Sequence, residues 1–597
     1  MSARFTPLWA LLAAALFAFI LLVERHWEEP ARGPRFLLSG MDLPSIHALE
    51  VRWPGSTPLR VEKDKDQWWL VQPVRDSADS ARIRALFQAL TTEPVQTVLT
   101  TGELLQRPTV LEDFGLAEPR ATLWLYAPDR RVQIQFGKPT APGDQVFVQV
   151  VGQGELWVVS SEVLSHLPRQ ADDWRNREWI RLANRHFDRL VISNQWGQFA
   201  LEHAAGSPEW RLVEPLRARA DPEKVQAAWD ALAQLQVTRF VGDEPGVDLE
   251  MFGLQPPVLS VTLLDGTNQV ERFDFGHSPT NDPAVVFARQ RGRSVVVTVP
   301  AGPLAAWKVA YSEYRDRRLL RWNGPVTAVE LLGPDSFAVH RLPSGWRLLP
   351  LDLPADETLV DNLLRLLQQL EVVEFVKDVV IEPDLARYGL APPAWQIVLR
   401  KAPESSGRSH SLLGELHFGL SQEGKTFVRR PDESAVYAVR TEDLGGLPPA
   451  AHELRDRRIW RLEESQIERV IVRQGPRHRE LVRLGDYSWT LAPGSQGIIN
   501  SLAVGEAVHA LCDLVAVAWL GVGETKLGEL GFGQNDWSVT LRRRDGEEFT
   551  VTFAGVTPDP LLRAMVRLEG KPWVFLCPPA AGELASAHLR LPQEAAP

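Results

Sequence analysis

The chain has 597 residues, several times the length of a typical domain, so we expect more than one hydrophobic core. Apolar residues make up 44% of the chain and charged residues 24%, which argues against a disordered or polytopic membrane protein. The net charge of -11 and the lack of a basic stripe in the sequence argue against a nucleic-acid partner.

The first predicted element is a transmembrane helix over the uncharged run from Leu8 to Val23. As a helix this run would span roughly 24 Å. Arg4 precedes the run and acidic residues follow it, so the positive-inside rule favours a cytoplasmic N-terminus and a periplasmic bulk. A cleaved signal peptide is the alternative, but no small-x-small cleavage site follows. We predict an inner-membrane, single-pass protein with a cytoplasmic tip and anchor at 1–26 and a linker at 27–39.

The rest of the chain repeats a set of landmarks in constant order. A strand-like stretch containing Trp ends in Pro, as in WWLVQP and WRLVEP; an aromatic-Gly-Leu tripeptide follows, and then a Phe-Gly pair. The repeat ends in an arginine-rich segment, and its first arginine recurs 140 residues apart as Arg175, Arg315 and Arg455. These landmarks predict repeat modules at 40–181, 182–321 and 322–461, and a divergent fourth module with a C-terminal tail at 462–597.

Each predicted module has the same internal pattern. Alternating stretches such as ALEVRW and LRVEKD predict strands, and an Ala-Asp pair precedes an amphipathic helix. We expect Asp79, Asp221 and Asp356 to cap these helices rather than to act as catalytic carboxylates. Hairpins such as ATLWLYAPDRRVQIQFG follow. The predicted fold class is α+β, with tandem repeats of an antiparallel sheet and one packed amphipathic helix, after an N-terminal transmembrane helix.

Two aromatic landmarks are more typical of core packing than of ligand contact. The tripeptide is predicted to be a turn whose aromatic residue and leucine enter the core. The tryptophans of the strand landmark are also assigned to the core, although stacked tryptophans bind sugars in envelope proteins. These tryptophans are Trp69, Trp210, Trp346 and Trp489.

The closing segments carry the candidate functional residues. They read WRNREWIRL, YRDRRLLRW and LRDRRIWRL. Their arginines could form a cationic surface for acidic lipid, polysaccharide or a partner protein, or they could pair with carboxylates such as Asp316 and Asp456 to join one module to the next. We favour the joint. The candidate residues are Arg175, Arg177, Arg315, Asp316, Arg317, Arg455, Asp456 and Arg457.

Motifs for catalysis, cofactors and metals are missing from the sequence. It has no GxSxG, HExxH, Walker or helix-opening GxGxxG motif. Cys512 and Cys577 stand outside metal-binding and CxxC spacings, and the sequence leaves open whether they pair. We therefore predict a non-enzymatic protein without catalytic residues, cofactor or metal.

Together, the Trp-apolar-x-Pro strand, the Ala-Asp helix start, the Phe/Tyr-Gly-Leu turn, the Phe-Gly strand end and the Arg-Asp closure resemble the bacterial repeat family called domain of unknown function DUF4340. The resemblance covers 40–461. The fourth module departs from it, with GFG around Phe532, with Gly497 and Asn500 at the helix start, and without the Arg-Asp closure. The resemblance implies a membrane-anchored auxiliary subunit of an ABC-type transporter similar to the gliding-motility export system.

The functional prediction is a membrane-anchored, extracytoplasmic accessory protein that contacts an ABC-transporter permease or another envelope protein. An envelope protein that binds carbohydrate or peptidoglycan is the alternative. An envelope hydrolase, which would need a cleft with paired carboxylates, is a third possibility.

Overall fold

The structure is a computed structural model that describes residues 12–20, 35–39, 41–106, 110–182, 186–203, 209–243, 246–402, 411–486, 488–533, 535–554 and 561–592. Residues 12–20 are helical, and the rest of the predicted anchor Leu8–Val23 lies outside the described residues. Among the described residues, no helix is both long and apolar enough to cross a membrane. The chain forms two compact units, Met1–Arg315 and Asp316–Pro597.

Each unit contains two antiparallel sheets that share one topology, so the predicted α+β fold with repeated sheets is confirmed. Three strands form a meander, and in three of the four sheets a short fourth strand continues it. A helix then crosses one face of the sheet and leads to a strand at the opposite edge. A second meander of four strands fills the space between, so that its first strand pairs with the first strand of the first meander. In sheet 1 the additional strand Arg35–Phe36 pairs with Pro94–Leu99 and forms the edge.

The first unit holds sheet 1 and sheet 2. Sheet 1 contains Arg35–Phe36, Ala48–Arg52, Leu59–Asp64, Gln67–Gln72, Asp76–Ser77, Pro94–Leu99, Ala121–Tyr126, Arg131–Pro139, Gln145–Val150 and Leu156–Ser160. Sheet 2 contains Arg189–Asn194, Gly197–His203, Trp210–Glu214, Ala218–Arg219, Arg239–Gly242, Leu259–Asp265, Asn268–Phe275, Val285–Gln290 and Val296–Pro300.

The second unit holds sheet 3, sheet 4 and a two-stranded ribbon. Sheet 3 contains Ala328–Leu332, Phe337–Leu342, Gly345–Leu349, Leu353–Pro354, Glu374–Lys377, Trp395–Lys401, Ser411–Gln422, Lys425–Arg429 and Val436–Arg440. Sheet 4 contains Ile467–Gln474, Arg477–Gly485, Ser488–Leu491, Trp519–Val522, Trp537–Arg543, Glu548–Phe553, Arg563–Leu568 and Lys571–Leu576. The ribbon pairs Arg458–Arg461 with Asp513–Val515.

One principal helix lies on each sheet. These helices are Ser80–Thr92, Pro222–Ala233, Glu357–Gln369 and Ser501–Cys512. Shorter α-helices are Thr101–Gln106, Val110–Asp113, Glu382–Arg387, Glu524–Glu529 and Pro579–His588. The 3-10 helices are Leu43–Ser45, Ser161–His166, Ala171–Asp173, Glu250–Phe252, Gly302–Lys308, Tyr311–Tyr314, Thr441–Leu444, Ala451–Leu454 and Glu464–Gln466.

The predicted helix caps are confirmed. Asp79, Asp221 and Asp356 each accept hydrogen bonds from two backbone N–H groups of the first helical turn. In the fourth module Asn500 does the same with one bond, from the N–H of Ala503. Such a cap satisfies donors that would otherwise lack a partner at the start of a helix. Its recurrence on all four sheets explains why the sequence keeps Asp or Asn at this position.

The strand tryptophans require one correction. Trp346 and Trp489 are buried, and Trp210 is half-buried against the core of sheet 2. The assignment of Trp69 to this core position is wrong, because Trp68 and Leu70 are the buried residues of that strand while Trp69 is half-buried. Adjacent residues of a strand point to opposite faces of the sheet, so only one residue of the Trp-Trp pair can face the helix.

The aromatic-Gly-Leu turn closes the second face of each sheet, away from the principal helix. Its leucine is buried, as predicted, in Leu116, Leu254 and Leu390. Its aromatic ring packs on a ring of the neighbouring hairpin, with centroids 4.5 Å apart for Phe114 and Phe147, 4.7 Å for Phe252 and Phe287 and 4.8 Å for Tyr388 and Phe427. The glycine between them is left-handed, with φ of 68°, 64° and 69° at Gly115, Gly253 and Gly389.

The fourth module forms the same turn one residue away from where the sequence placed it. Gly531 is left-handed with φ of 88°, and the N–H of Phe532 donates a 2.9 Å hydrogen bond to the carbonyl of Leu527. The N–H of Leu116 makes the equivalent bond to Leu111. Phe532 therefore takes the place of the buried leucine, and the tripeptide that corresponds to aromatic-Gly-Leu is Leu530-Gly531-Phe532 rather than GFG.

Candidate functional site

Each closing segment folds back onto the helix start of its own module. The carbonyls of Trp174, Tyr314 and Leu454 accept hydrogen bonds from the N–H groups of Asp79, Asp221 and Asp356, at 2.7, 2.8 and 2.9 Å. The next residue of each segment, the first arginine, forms an antiparallel bridge with the alanine before the capping aspartate: Ala78 with Arg175, Ala220 with Arg315 and Ala355 with Arg455. The Ala-Asp pair therefore makes its backbone contact with the start of the closing segment, including the first arginine.

The second arginine of each segment makes a different backbone contact. The carbonyls of Arg177, Arg317 and Arg457 each accept a 2.7 Å hydrogen bond, from the N–H groups of Val237, Val372 and Ala516 respectively. These three donors follow the principal helix of sheets 2, 3 and 4. The first and third closing segments lie within single units, and each of them joins the helix start of one sheet to the segment after the helix of the next.

Arg175 is the most buried of the candidate residues, with only 2% of its surface exposed. Its Nε atom donates a 2.8 Å hydrogen bond to Asp76, and its Nη1 and Nη2 atoms donate 2.8 Å bonds to Asp243. Its guanidinium also lies 3.8 Å from the ring centroid of Phe240. Burial alone would lower the pKa of Arg175, but the hydrogen bonds to Asp243 and Asp76 raise it, so the guanidinium stays charged.

Arg455 occupies the corresponding position in the third segment with different neighbours. Its guanidinium lies 4.5 Å from the ring centroid of Trp519 and 3.9 Å from that of Trp573. Burial lowers the pKa of Arg455 to about 10, so this arginine is charged at neutral pH and is held mainly by the faces of two indole rings. An ion pair in the first segment is thus replaced by cation–π contacts in the third.

The two candidate aspartates, Asp316 and Asp456, accept hydrogen bonds from residues of their own closing segments. The carboxylate of Asp316 accepts bonds from the N–H of Arg318 at 3.0 Å and from Nε of Arg321 at 2.9 Å. Asp456 accepts from the N–H of Arg458 at 2.9 Å. These local bonds are those of an Asx turn, which fixes the backbone between the two arginines.

The second arginines differ in what their side chains contact. Nη1 of Arg177 donates to the carbonyl of Thr238 at 3.3 Å, and Nη1 of Arg317 donates to that of Val372 at 3.2 Å. Nε of Arg457 donates a 2.8 Å bond to the capping carboxylate of Asp356. Arg315 is buried and lies in the bridge with Ala220. The partners Asp76 and Asp243 escaped sequence reasoning because neither belongs to a repeated landmark.

Both cysteines are free and buried in the core of sheet 4. Burial raises the pKa of Cys512 and of Cys577 to about 12. Within the described ranges, no group of three or more His, Cys, Asp or Glu side chains is arranged to hold a metal ion.

Comparison with known proteins identifies a matching family model, described as Domain of unknown function (DUF4340). The model matches three successive stretches, residues 68–208, 210–348 and 346–532. No match was found among curated proteins.

Proposed function

Because this chain belongs to the DUF4340 family, which it matches three times in succession, we propose that it is a membrane-anchored, extracytoplasmic accessory protein of an ABC-type transport system. It would act without catalysis, by binding the permease or another envelope protein. The transporter partner is the one that the family resemblance implies.

One observation carries the non-enzymatic part of the proposal: the repeated residues are used to build the fold. The three capping aspartates bind helix N–H groups, the turn leucines are buried, and the first arginine of each closing segment forms a backbone bridge with the alanine before the capping aspartate. A reactive centre present in every module would be expected to place some of its repeated polar side chains in an open cleft. The residues left for function are therefore those that differ between modules and are exposed.

Exposed apolar side chains favour protein partners over polymer. Trp196 is 66% exposed, Val379 69% and Ile498 97%. Tryptophan is enriched at protein interfaces, and the buried centre of an interface is more apolar than its rim. The anchor is supported by residues 12–20, a helix whose apolar side chains point outward, with Leu12, Phe17 and Phe19 59–66% exposed.

Crosslinking in cells tests this proposal. The full-length protein, tagged at its C-terminus, is crosslinked and extracted in mild detergent, and the bound proteins are identified by mass spectrometry. The control is the anchor segment alone, carrying the same tag. Enrichment of a permease and its ATPase over this control is the expected result. Recovery of glycan or envelope polymer without a permease would overturn the proposal in favour of carbohydrate binding.

A further inference from the structure

A cleft of about 600 Å³ opens in the first unit beside the first closing segment. Four stretches of chain form it: Trp53 after a strand of sheet 1, Arg82 and Ala85 on the principal helix, Arg120 before the next hairpin, and the segment from Ser161 to Trp174. Its volume is within the range of small-molecule sites. None of the candidate arginines of the closing segment lines it.

The cleft is positively charged in a chain of net charge -11. Arg82, Arg120 and Arg169 line it, and Asp173 is the acidic residue among its lining side chains. Asp173 accepts hydrogen bonds from the N–H groups of Arg169 and Gln170, so part of its charge is balanced by backbone donors. Arg82 also lies 3.5 Å from Asp79. Among the described residues, no carboxylate lies within 4.0 Å of the Arg120 or Arg169 guanidinium.

The second and third modules lack arginine at the positions that correspond to Arg120 and Arg169. The N–H of Arg120 donates to the carbonyl of Phe136 at 2.8 Å, and the N–H groups of Val258 and Ala394 make the same bond in sheets 2 and 3. Arg169 stands five residues before Trp174, where the later modules have Val309 and Pro449. The second and third modules have uncharged residues at both positions, so in these three modules the two arginines are particular to the first.

One wall of the cleft is aromatic and fixed in place. The indole Nε1 of Trp53 donates a 2.6 Å hydrogen bond to the carbonyl of Pro168. The Arg169 guanidinium lies 5.4 Å from the centroid of the Trp53 ring, which orients it at the edge of the cleft. Arg82 is held in turn by the carbonyl of Asp173, at 2.6 Å from its Nη1. The donors that face the cleft are thus partly preorganised.

We propose that this cleft binds a phosphate group. Arginine forks match the oxygens of a phosphate, and three arginines line this one cleft together with Ser161 and Ser165. Three arginines against Asp173 and the Asp79 carboxylate beside Arg82 leave an excess of one positive charge, which an anionic phosphate can balance. A soluble phosphate ester and the phosphodiester headgroup of an anionic lipid both present negatively charged non-bridging oxygens, so the shared chemistry of the ligand is the phosphate itself.

Titration calorimetry on the full-length protein in neutral detergent tests the site and separates the two sources. The probes are inorganic phosphate and dihexanoyl phosphatidylglycerol kept below its micellar concentration, with dihexanoyl phosphatidylcholine as the zwitterionic comparison. The test variant is Arg120→Ser combined with Arg169→Ser. The control is Arg84→Ser, an exposed arginine of the same helix as Arg82 that does not line the cleft.

We expect saturable binding of at least one anionic probe, an affinity at least tenfold lower in the double variant, and no change in Arg84→Ser. If only inorganic phosphate binds, the ligand is a soluble phosphate ester. If only phosphatidylglycerol binds, the ligand is a lipid headgroup. The proposal is overturned if the wild-type protein binds neither anionic probe, or if the double variant binds as the wild type does. Circular dichroism confirms that the variants fold.

Discussion

Nη1 and Nη2 of Arg175 both donate 2.8 Å hydrogen bonds to the carboxylate of Asp243, 68 residues further along the chain. Asp76, in the short strand Asp76–Ser77 of the preceding sheet, binds the same guanidinium. This buried arginine therefore ties two sheets of the first unit together.

Replacing Arg175 with Met should destabilise the first unit by about 3 kcal/mol, because Asp76 and Asp243 would lose their shared cation at a buried site. Calorimetry of thermal unfolding measures the change as a lower Tm for one transition. Arg211→Ala is the control, since Arg211 and its partner Glu209 are 69% and 75% exposed and 3.9 Å apart. Equal effects of the two substitutions would contradict the structural role of Arg175.

The cap of the second principal helix gives a graded prediction. Asp221→Ala should destabilise the helix by about 1 kcal/mol, because the N–H groups of Glu223 and Lys224 lose their acceptor. Asp221→Asn should retain most of the stability, since Asn500 caps the equivalent helix of the fourth module. Hydrogen exchange over 222–233 measures both effects. Unchanged exchange in Asp221→Ala would show that the cap is dispensable.

A glycine at the end of a strand tests the close packing of the turn. A Cβ atom at Gly276 would lie 1.9 Å from the carbonyl oxygen of Phe252, so Gly276→Ala should cost about 2 kcal/mol or more. Gly302→Ala is the matched control in the same sheet region, because a Cβ there has no neighbour within 4 Å. Thermal unfolding compares them. A neutral Gly276→Ala would mean that the Phe252 turn can move aside.

The two thiols should be inert in the folded protein. Burial raises the pKa of Cys512 and Cys577 from 9.0 to about 12, so the reactive thiolate is scarce at pH 8. Both folded pKa values lie above the unfolded value; the resulting stability is complete below about pH 9 and is lost as the pH rises towards 12. Labelling with iodoacetamide at pH 8, with and without denaturant, measures this. Rapid labelling without denaturant would contradict the burial of both side chains.

The sequence was sufficient for features that depend on local chemistry. Asp79 before an amphipathic helix predicts a cap, because the cap needs only the residues that follow it. Repetition then extended the assignment to Asp221 and Asp356. The two arginines of a closing segment look alike in sequence, yet Arg175 is buried among carboxylates while Arg177 donates to a backbone carbonyl. That difference depends on Asp243, which comes into contact only when the next sheet has folded.

Two predictions were wrong because a short sequence pattern could be matched to the chain in two ways, one residue apart. Trp68 and Trp69 satisfy the same short pattern, and only the alternation with Leu70 identifies the buried one. In the fourth module, either Gly531 or Gly533 could be the glycine of the turn. The hydrogen bond from the N–H of Phe532 to the carbonyl of Leu527 shows that it is Gly531. The cleft lined by Trp53, Arg120 and Arg169 could not be foreseen, because these residues are distant in sequence and belong to no repeated motif.

The central claim, that this protein works by binding a transporter subunit, is tested most directly by site-specific photocrosslinking in cells. A photoreactive residue is placed at Trp196, at Val379 or at Ile498, each strongly exposed. A buried position, Leu348, is the control. We predict that at least one exposed position forms an adduct with an ABC-type permease or its ATPase, and that Leu348 forms none. Adducts with envelope polymer alone, or none from any exposed position, would contradict the claim.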